Sequence, residues 1–177
     1  AANDAQTPDA ATAADILETT YTYANNSNQL NAIDDKAVIH DAAGNIKSLP
    51  TLTSKHTSGN STTTPALSFT YDAVNRLSSV SKNGTLQASY FYNTQGQRVL
   101  KQLHYTGRTA DYIAYHYNLL GQIIGETHFN GSVAANHKTY VWLGNMPIAM
   151  VDKVGSDDAN VTYIHTDHLN TPRSVTN

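Results

Sequence analysis

Two stretches of this chain spell the same pattern. Tyr90-Phe91-Tyr92-Asn93-Thr94-Gln95-Gly96-Gln97-Arg98-Val99 and Tyr115-His116-Tyr117-Asn118-Leu119-Leu120-Gly121-Gln122-Ile123-Ile124 each run from an alternating aromatic stretch through a four-residue turn into a second β-rich stretch. Asn suits the first turn position because its side chain bonds back to the backbone two residues on. Gly suits the fourth because it takes positive φ without steric penalty. Each copy therefore predicts a β-hairpin, and a chain that repeats hairpins is steered toward antiparallel sheet.

The turn frame, Asp or Asn followed three residues later by Gly or Asn, recurs at Asn25-Asn26-Ser27-Asn28, Asp41-Ala42-Ala43-Gly44, Asp72-Ala73-Val74-Asn75 and Asp167-His168-Leu169-Asn170. With 29 Asp or Asn and 27 Gly or Asn among 177 residues, chance alone supplies about four such frames. Requiring one of the 11 Tyr immediately before the frame lowers the expectation to about 0.3. Tyr71-Asp72, Tyr92-Asn93 and Tyr117-Asn118 all pass, so the repeat is not an accident of composition.

From Leu67 the pattern predicts consecutive strands over 67–72, 76–81, 85–93, 97–105, 111–118, 122–129, 138–143, 147–152 and 160–165. Asn83-Gly84, Thr106-Gly107, Asn130-Gly131, Gly144-Asn145 and Gly155 are placed to turn between them. The fold class is all-β, an antiparallel meander of hairpins spaced around 24 residues apart, in which each unit buries its face only against its neighbours. Period-two sorting puts Ala88, Tyr90 and Tyr92 on one face, Ile113, Tyr115 and Tyr117 likewise, and Val99, Lys101, Leu103 and Tyr105 together on a return strand, predicting a tyrosine ladder across strands.

Residues 1–20 are rich in Ala, Thr and Asp. Asp9 can cap a short helix there, but too few apolar residues follow to hold it, which predicts a mobile or weakly helical arm ahead of a β domain over 21–177. That domain begins with Tyr21-Thr22-Tyr23 and continues with strands at Ala37-Val38-Ile39-His40 and Asn45-Ile46-Lys47-Ser48-Leu49, on either side of the Gly44 turn. Pro50 to Pro65, crowded with Ser and Thr, reads as a polar loop and not as a domain boundary, because the repeat resumes at Leu67. The chain opens at Ala1 without Met or a charged-then-apolar leader, as a processed or excised segment does.

Composition removes several functions. The formal charge is -3 with 11 Lys plus Arg and no basic cluster, which argues against nucleic acid and anionic membrane as partners. No run of about 18 apolar residues is present to span a bilayer as a helix. The absence of cysteine removes disulfides, thiolate metal sites and thiol nucleophiles together. Eleven Tyr against three Phe and one Trp favour half-buried faces where the ring packs and the hydroxyl stays wet.

Chemistry-bearing constellations are few. There is no G-x-S-x-G and no G-x-G-x-x-G. Glu18 and Glu126 are the only glutamates, and Asp41, Asp72 and Asp167 open turns, so no general acid and base pair stands out. His165-Thr166-Asp167-His168 is a dense group of potential zinc ligands, but His-x-x-His brings both rings to one face on a helix, and this segment reads as strand entering turn. No catalytic, cofactor-binding or metal residue is therefore assigned, and enzyme activity is not expected. Two alternatives remain: a carbohydrate-binding or adhesive module stacking sugars on exposed Tyr and Trp142 faces, and a metal-dependent enzyme at His165 and His168.

Tyr71-Asp72-Ala73-Val74-Asn75-Arg76-Leu77, the two long copies and Tyr140-Val141-Trp142-Leu143-Gly144-Asn145-Met146-Pro147-Ile148-Ala149 resemble the YD repeats of the bacterial Rhs family. Tyr163-Ile164-His165-Thr166-Asp167-His168-Leu169-Asn170-Thr171-Pro172-Arg173 is similar to that family's Y-x-H-T-D-H-L-G-T-P-R signature, with Asn170 in place of Gly; Asn also tolerates the left-handed region. The resemblance covers about residues 21–177. It implies a segment of a β-spiral shell that encapsulates a C-terminal toxin and helps deliver it, secreted from or displayed on a bacterial cell. The family's autoproteolytic aspartate site and its variable toxin follow the last motif, so the stretch present here is expected to be a non-catalytic piece of wall. Its partners are expected to be the rest of the shell and its cargo. In isolation, the strand-like Arg173-Ser174-Val175-Thr176 offers an edge for self-association or hairpin exchange between chains.

Overall fold

The computed structural model describes residues 19–55 and 60–177, and every regular element among them is a β-strand. The expected arm lies, but for its last two residues, outside the described residues. The chain divides into two compact units, one ending at Leu86 and one running over Gln87–Asn177.

In the first unit the strands are β1 (Tyr21–Tyr23), β2 (Leu30–Ile33), β3 (Lys36–Ala37), β4 (Ile39–His40), β5 (Ile46–Leu49), β6 (Leu52–Lys55), β7 (Ser61–Thr64), β8 (Leu67–Tyr71) and β9 (Leu77–Lys82). β1, β2 and β3 form a small antiparallel sheet, and β4, β5, β8 and β9 follow one another in a second. The loop expected over residues 50–65 is instead built around a two-stranded hairpin, with Leu52 opposite Thr64 and Lys55 opposite Ser61. Its sequence hides it, because β7 is Ser-Thr-Thr-Thr and exposed throughout, so no apolar alternation marks it. Threonine's β-branch still favours the extended backbone.

The second unit carries β10 (Thr85–Tyr92, beginning just ahead of Gln87), β11 (Arg98–Leu103), β12 (Asp111–Tyr117), β13 (Ile123–Asn130), β14 (Val133–Leu143), β15 (Met146–Val154), β16 (Asn160–Thr166) and β17 (Pro172–Thr176). They lie side by side in chain order, each antiparallel to the next, as one broad sheet. β14 starts at Val133, five residues before the expected Lys138. Ala134, Ala135 and Asn136 are poor strand formers, yet Ala134 and Asn136 pair with β13, Asn136 pairs with β15 and the Ala135 carbonyl accepts the Gly155 N–H, which holds the stretch extended.

Five turns are built alike, opened by Asp41, Asp72, Asn93, Asn118 and Asp167. Calling the opener i, its Oδ1 accepts the backbone N–H of i+2 and of i+4 at 2.9 to 3.1 Å. The backbone N–H of i+3 donates to the carbonyl of i, and that of i to the carbonyl of i+4. Position i+3 takes φ between 61° and 86° and is Gly44, Asn75, Gly96, Gly121 or Asn170, the residue types that reach this region at least cost. The frame at Asn25 to Asn28 folds differently. Its positive φ falls on Asn26, its backbone closes from Ala24 N–H to the Gln29 carbonyl, and the Ser27 hydroxyl accepts the Gln29 N–H.

The same five hairpins share an irregularity that the sequence does not announce. Residue i−1 faces i+5, whereas i−2 faces i+7, so Lys47, Ser78, Val99, Ile124 and Arg173 are extra residues on the return strands. Each is a β-bulge, which bends the strand and re-aims its neighbours. At the Asn93 hairpin the shift sets Arg98 opposite Tyr92, and the Arg98 guanidinium lies 5.6 Å from the Tyr90 ring centre and 4.7 Å from that of Tyr115. Strict period-two sorting therefore breaks at the turn end of each strand.

Most side chains of this broad sheet are half-buried or exposed. Among the described residues the buried apolar ones are Ile33, Val38, Ala88, Pro147 and Ala149, and no side chain is less than 2 % exposed. On β14 Asn136, Lys138, Tyr140 and Trp142 are half-buried while His137, Thr139, Val141 and Leu143 are exposed. Stability in such a sheet resides in strand pairing and in side chains leaning on cross-strand neighbours.

Candidate functional site

The features that recur are ties between successive hairpins. The residue just before each turn is Tyr71, Tyr92 or Tyr117 in the Tyr-tipped copies, and the β14–β15 hairpin carries Trp142 at the equivalent end. The Tyr71 hydroxyl donates to the Ile46 carbonyl at 2.8 Å, Tyr117 to the Arg98 carbonyl at 3.0 Å, and the Trp142 indole N–H to the Ile123 carbonyl at 2.8 Å. Each acceptor is the i+5 residue of the preceding hairpin, the point where its bulge interrupts the ladder. Tyrosine thus has a specific task before the turn: its ring packs along the sheet and its hydroxyl reaches a backbone oxygen one hairpin back. Burial raises the pKa of Tyr117 above the ordinary phenol value despite the opposing charge of Arg98, so the proton it donates stays in place.

A second set of ties joins the turns themselves. Asn118 Nδ2 donates to Gln122 Oε1 at 2.7 Å, and Gln122 Nε2 then donates to the Gly144 carbonyl at 2.6 Å. Asn93 and Gln97 repeat the arrangement, with Gln97 Nε2 donating to the Gly121 carbonyl at 3.2 Å. In the first unit Asn45 Nδ2 donates both to Asp41 Oδ2 and to Asn75 Oδ1. Gly121 has φ 83°, and a Cβ there would lie 3.3 Å from Gln97 Nε2, so the tie and the glycine are matched.

The half-buried face of the second unit also holds a charged row. Tyr115, Glu126, Lys138, Asp152 and Asn160 stand opposite one another across five strands. Glu126 accepts the Tyr140 hydroxyl at 3.0 Å on one oxygen and faces His128 Nε2 at 3.3 Å on the other. Burial, then the charge and hydrogen bond of Glu126 with a further push from Asp152, raises the Tyr140 pKa to about 12. A phenol so held is a donor at neutral pH and not a base, and Glu126 is engaged by its neighbours. Asp152 Oδ1 is buried without a hydrogen-bond partner.

The residues singled out from sequence separate in space by task. His165 Nε2 lies 2.9 Å from Thr176 Oγ1 on the neighbouring strand, while His168 is exposed within the turn. Asp167, between them, is used up: Oδ1 accepts from Leu169 and Thr171, and Oδ2 from Arg173 at 2.8 Å. The Thr171 backbone N–H, followed by further hydrogen bonds, holds the Asp167 carboxyl below the ordinary carboxylate range. Among the described residues no group of three or more His, Cys, Asp or Glu is arranged to hold a metal ion. Trp142 is half-buried with its N–H engaged, whereas Tyr163 is 57 % exposed. An open depression of about 350 Å³ at the strand ends is lined by Tyr105, Asp111, Tyr112, His128 and Phe129.

Sequence reading located the turn openers and the tyrosines but not the acceptors of their bonds, nor Gln97 and Gln122. The signal was present: both Asn-opened long copies place Gln four residues on, where Asp72 is followed by Arg76. No family model matches the chain, and no curated protein matches its sequence.

Proposed function

We propose that this chain is a non-catalytic stretch of the wall of an Rhs-type shell, a β-spiral of hairpins that encloses a C-terminal toxin and is secreted or carried on a bacterial surface. The observation that supports this reading best is the recurring tie from the residue before one turn to the i+5 carbonyl of the preceding hairpin, at Tyr71, Tyr117 and Trp142. Bonds that run sideways from hairpin to hairpin suit a surface that extends by addition of hairpins. The Asp and Asn residues serve the backbone of the turns, as a scaffold requires. β17 supports a further part of the reading: among the described residues it has one strand neighbour and is exposed along its length, so the isolated chain is expected to pair through it with another copy.

The test is limited proteolysis of the polypeptide that contains this chain together with the segments encoded on either side. The wall reading expects the downstream segment to resist protease until the repeat sheet is unfolded, and the purified chain to show neither hydrolase nor nuclease activity. A downstream segment as open to protease as the free peptide, or an activity abolished by a point substitution within residues 19–177, overturns it. Light scattering at rising concentration checks the pairing, and a strict monomer at the highest concentration removes that part.

A further inference from the structure

The wall reading has no use for two imidazoles on the exposed face of the second unit. His116 on β12, Thr127 on β13 and His137 on β14 lie on neighbouring strands, with Thr127 opposite His137 and His116 opposite Gly125. His116 Nε2 is 3.0 Å and His137 Nδ1 3.1 Å from the same atom, Thr127 Oγ1. The ring centres are 6.4 Å apart. Both histidines are exposed. Between them β13 carries Gly125, where a Cβ would lie 2.9 Å from the Lys138 carbonyl oxygen, 3.7 Å from His116 Cδ2 and 3.8 Å from His137 Cε1. The close backbone approach requires glycine, and glycine leaves the space beside the rings free of any side chain.

We propose that His116 and His137 form a two-imidazole surface site for a borderline divalent transition metal of the Zn²⁺ or Ni²⁺ class, with water completing the coordination. Neutral imidazole nitrogens are preferred donors to these ions, and two of them are already turned toward one side chain, the Thr127 hydroxyl between them. Metal to nitrogen bonds of about 2.0 to 2.1 Å ask both rings to turn from the Thr127 hydroxyl toward an ion beside it, in the space that Gly125 leaves between them. Exposed rings make that movement by side-chain rotation alone. The threonine hydroxyl then turns to a bound water. Glu126 and His128 belong to the opposite face, and Lys153, the register partner of His137, is the charged neighbour on this one. A site without carboxylates does not suit Mg²⁺ or Ca²⁺, which take oxygen ligands.

The test is titration of the intact chain with Ni²⁺ alone, followed by calorimetry and by the histidine ring signals in NMR. The expected result is one equivalent bound, with the His116 and His137 signals moving first and no competition from Mg²⁺. Affinity falls by about tenfold or more in His116→Ala and in His137→Ala, because each removes one of two donors. His116→Gln keeps a hydrogen-bonding group toward Thr127 but loses the ligand, and falls likewise. Thr127→Val, which removes only the hydroxyl, retains binding. His165→Ala, which breaks a lone His–Thr contact of similar length, also retains it. Absence of binding to the folded chain, equal binding by both His→Ala variants, or a comparable loss in Thr127→Val or His165→Ala overturns the proposal.

Discussion

The Asn118 turn and the Asp167 turn share a backbone and differ in where their second side-chain atom goes. Asp167 Oδ2 accepts Nε and Nη2 of Arg173 at 2.8 and 2.7 Å, and the ion pair closes the turn on itself. Asn118 instead offers a donor, Nδ2, to the oxygen of Gln122, which leaves the Gln122 amide hydrogens aimed at the Gly144 carbonyl of the next hairpin. A carboxylate can only accept, so it draws a cation inward. An amide both accepts and donates, so it passes a bond along. The opener and the side chain that meets its second atom together decide whether a turn is self-contained or coupled to its neighbour: Asp41, also a carboxylate, meets Asn45 instead of an arginine, and Asn45 Nδ2 reaches on to Asn75 Oδ1.

The largest effect that tests this difference is expected from Asn118→Ala, which strips the acceptor from the Leu120 and Gln122 N–H groups and the donor from Gln122. A loss of about 2 kcal/mol in local stability makes the Gln122 amide exchange with solvent about 30-fold faster. The exchange change also extends to the Leu143–Met146 hairpin end. For Asp167→Ala the change stays between Asp167 and Arg173. Equal spread in the two variants breaks the comparison.

Tyr117→Phe comes next. It keeps the ring and removes one hydroxyl bond to the Arg98 carbonyl, at a cost of about 1 kcal/mol. The denaturation midpoint falls while the far-ultraviolet spectrum keeps its β-sheet form. A variant as stable as the parent denies the tie its role.

Acid gives the smallest and most selective effect. Asp72 and Asp167 carboxyls are held below 3.8, chiefly by the backbone N–H groups of Arg76 and Thr171. Groups with depressed folded-state pKa values stabilise above the unfolded value and lose that contribution as pH falls through the folded one. Urea midpoints measured from neutral pH down through that range therefore decline as these turns protonate, and the Asn93 and Asn118 turns take no part. Asn118→Asp transfers the behaviour: its midpoint, relative to the parent, drops further as pH falls. A constant difference at all pH values shows that the new carboxyl does not adopt the Asp167 role.

How much of this was legible depends on how far apart the interacting residues lie in sequence. Turn openers and positive-φ positions act within four residues, so Asn93 and Gly96 could be read directly, as could the nine strands from Leu67 onward to within a few residues at most ends. The bulge at Val99 could not, because it is set by pairing between β10 and β11 and leaves no residue type as its mark. The Gln122 tie was hidden for the same reason, its acceptor lying in another hairpin. Asn25 failed in the opposite sense: the right letters stand there, but Ser27 supplies the bond that Asn25 was expected to make. The β6–β7 hairpin was missed because a strand exposed on both sides has no alternation to read.

The recurrence of the tyrosine tie has a consequence for how such a gene changes length. The β12–β13 hairpin presents a ring donor, Tyr117, on one side and an accepting carbonyl, Ile123, on the other, so excising one such hairpin between equivalent positions would bring together two surfaces that already fit. Inserting a single residue between Tyr117 and Asn118 would instead strand the phenol out of reach of Arg98. Natural variants of this sequence are therefore expected to differ by whole hairpins, counted as integers, with the short stretch from ring to turn opener held at constant length.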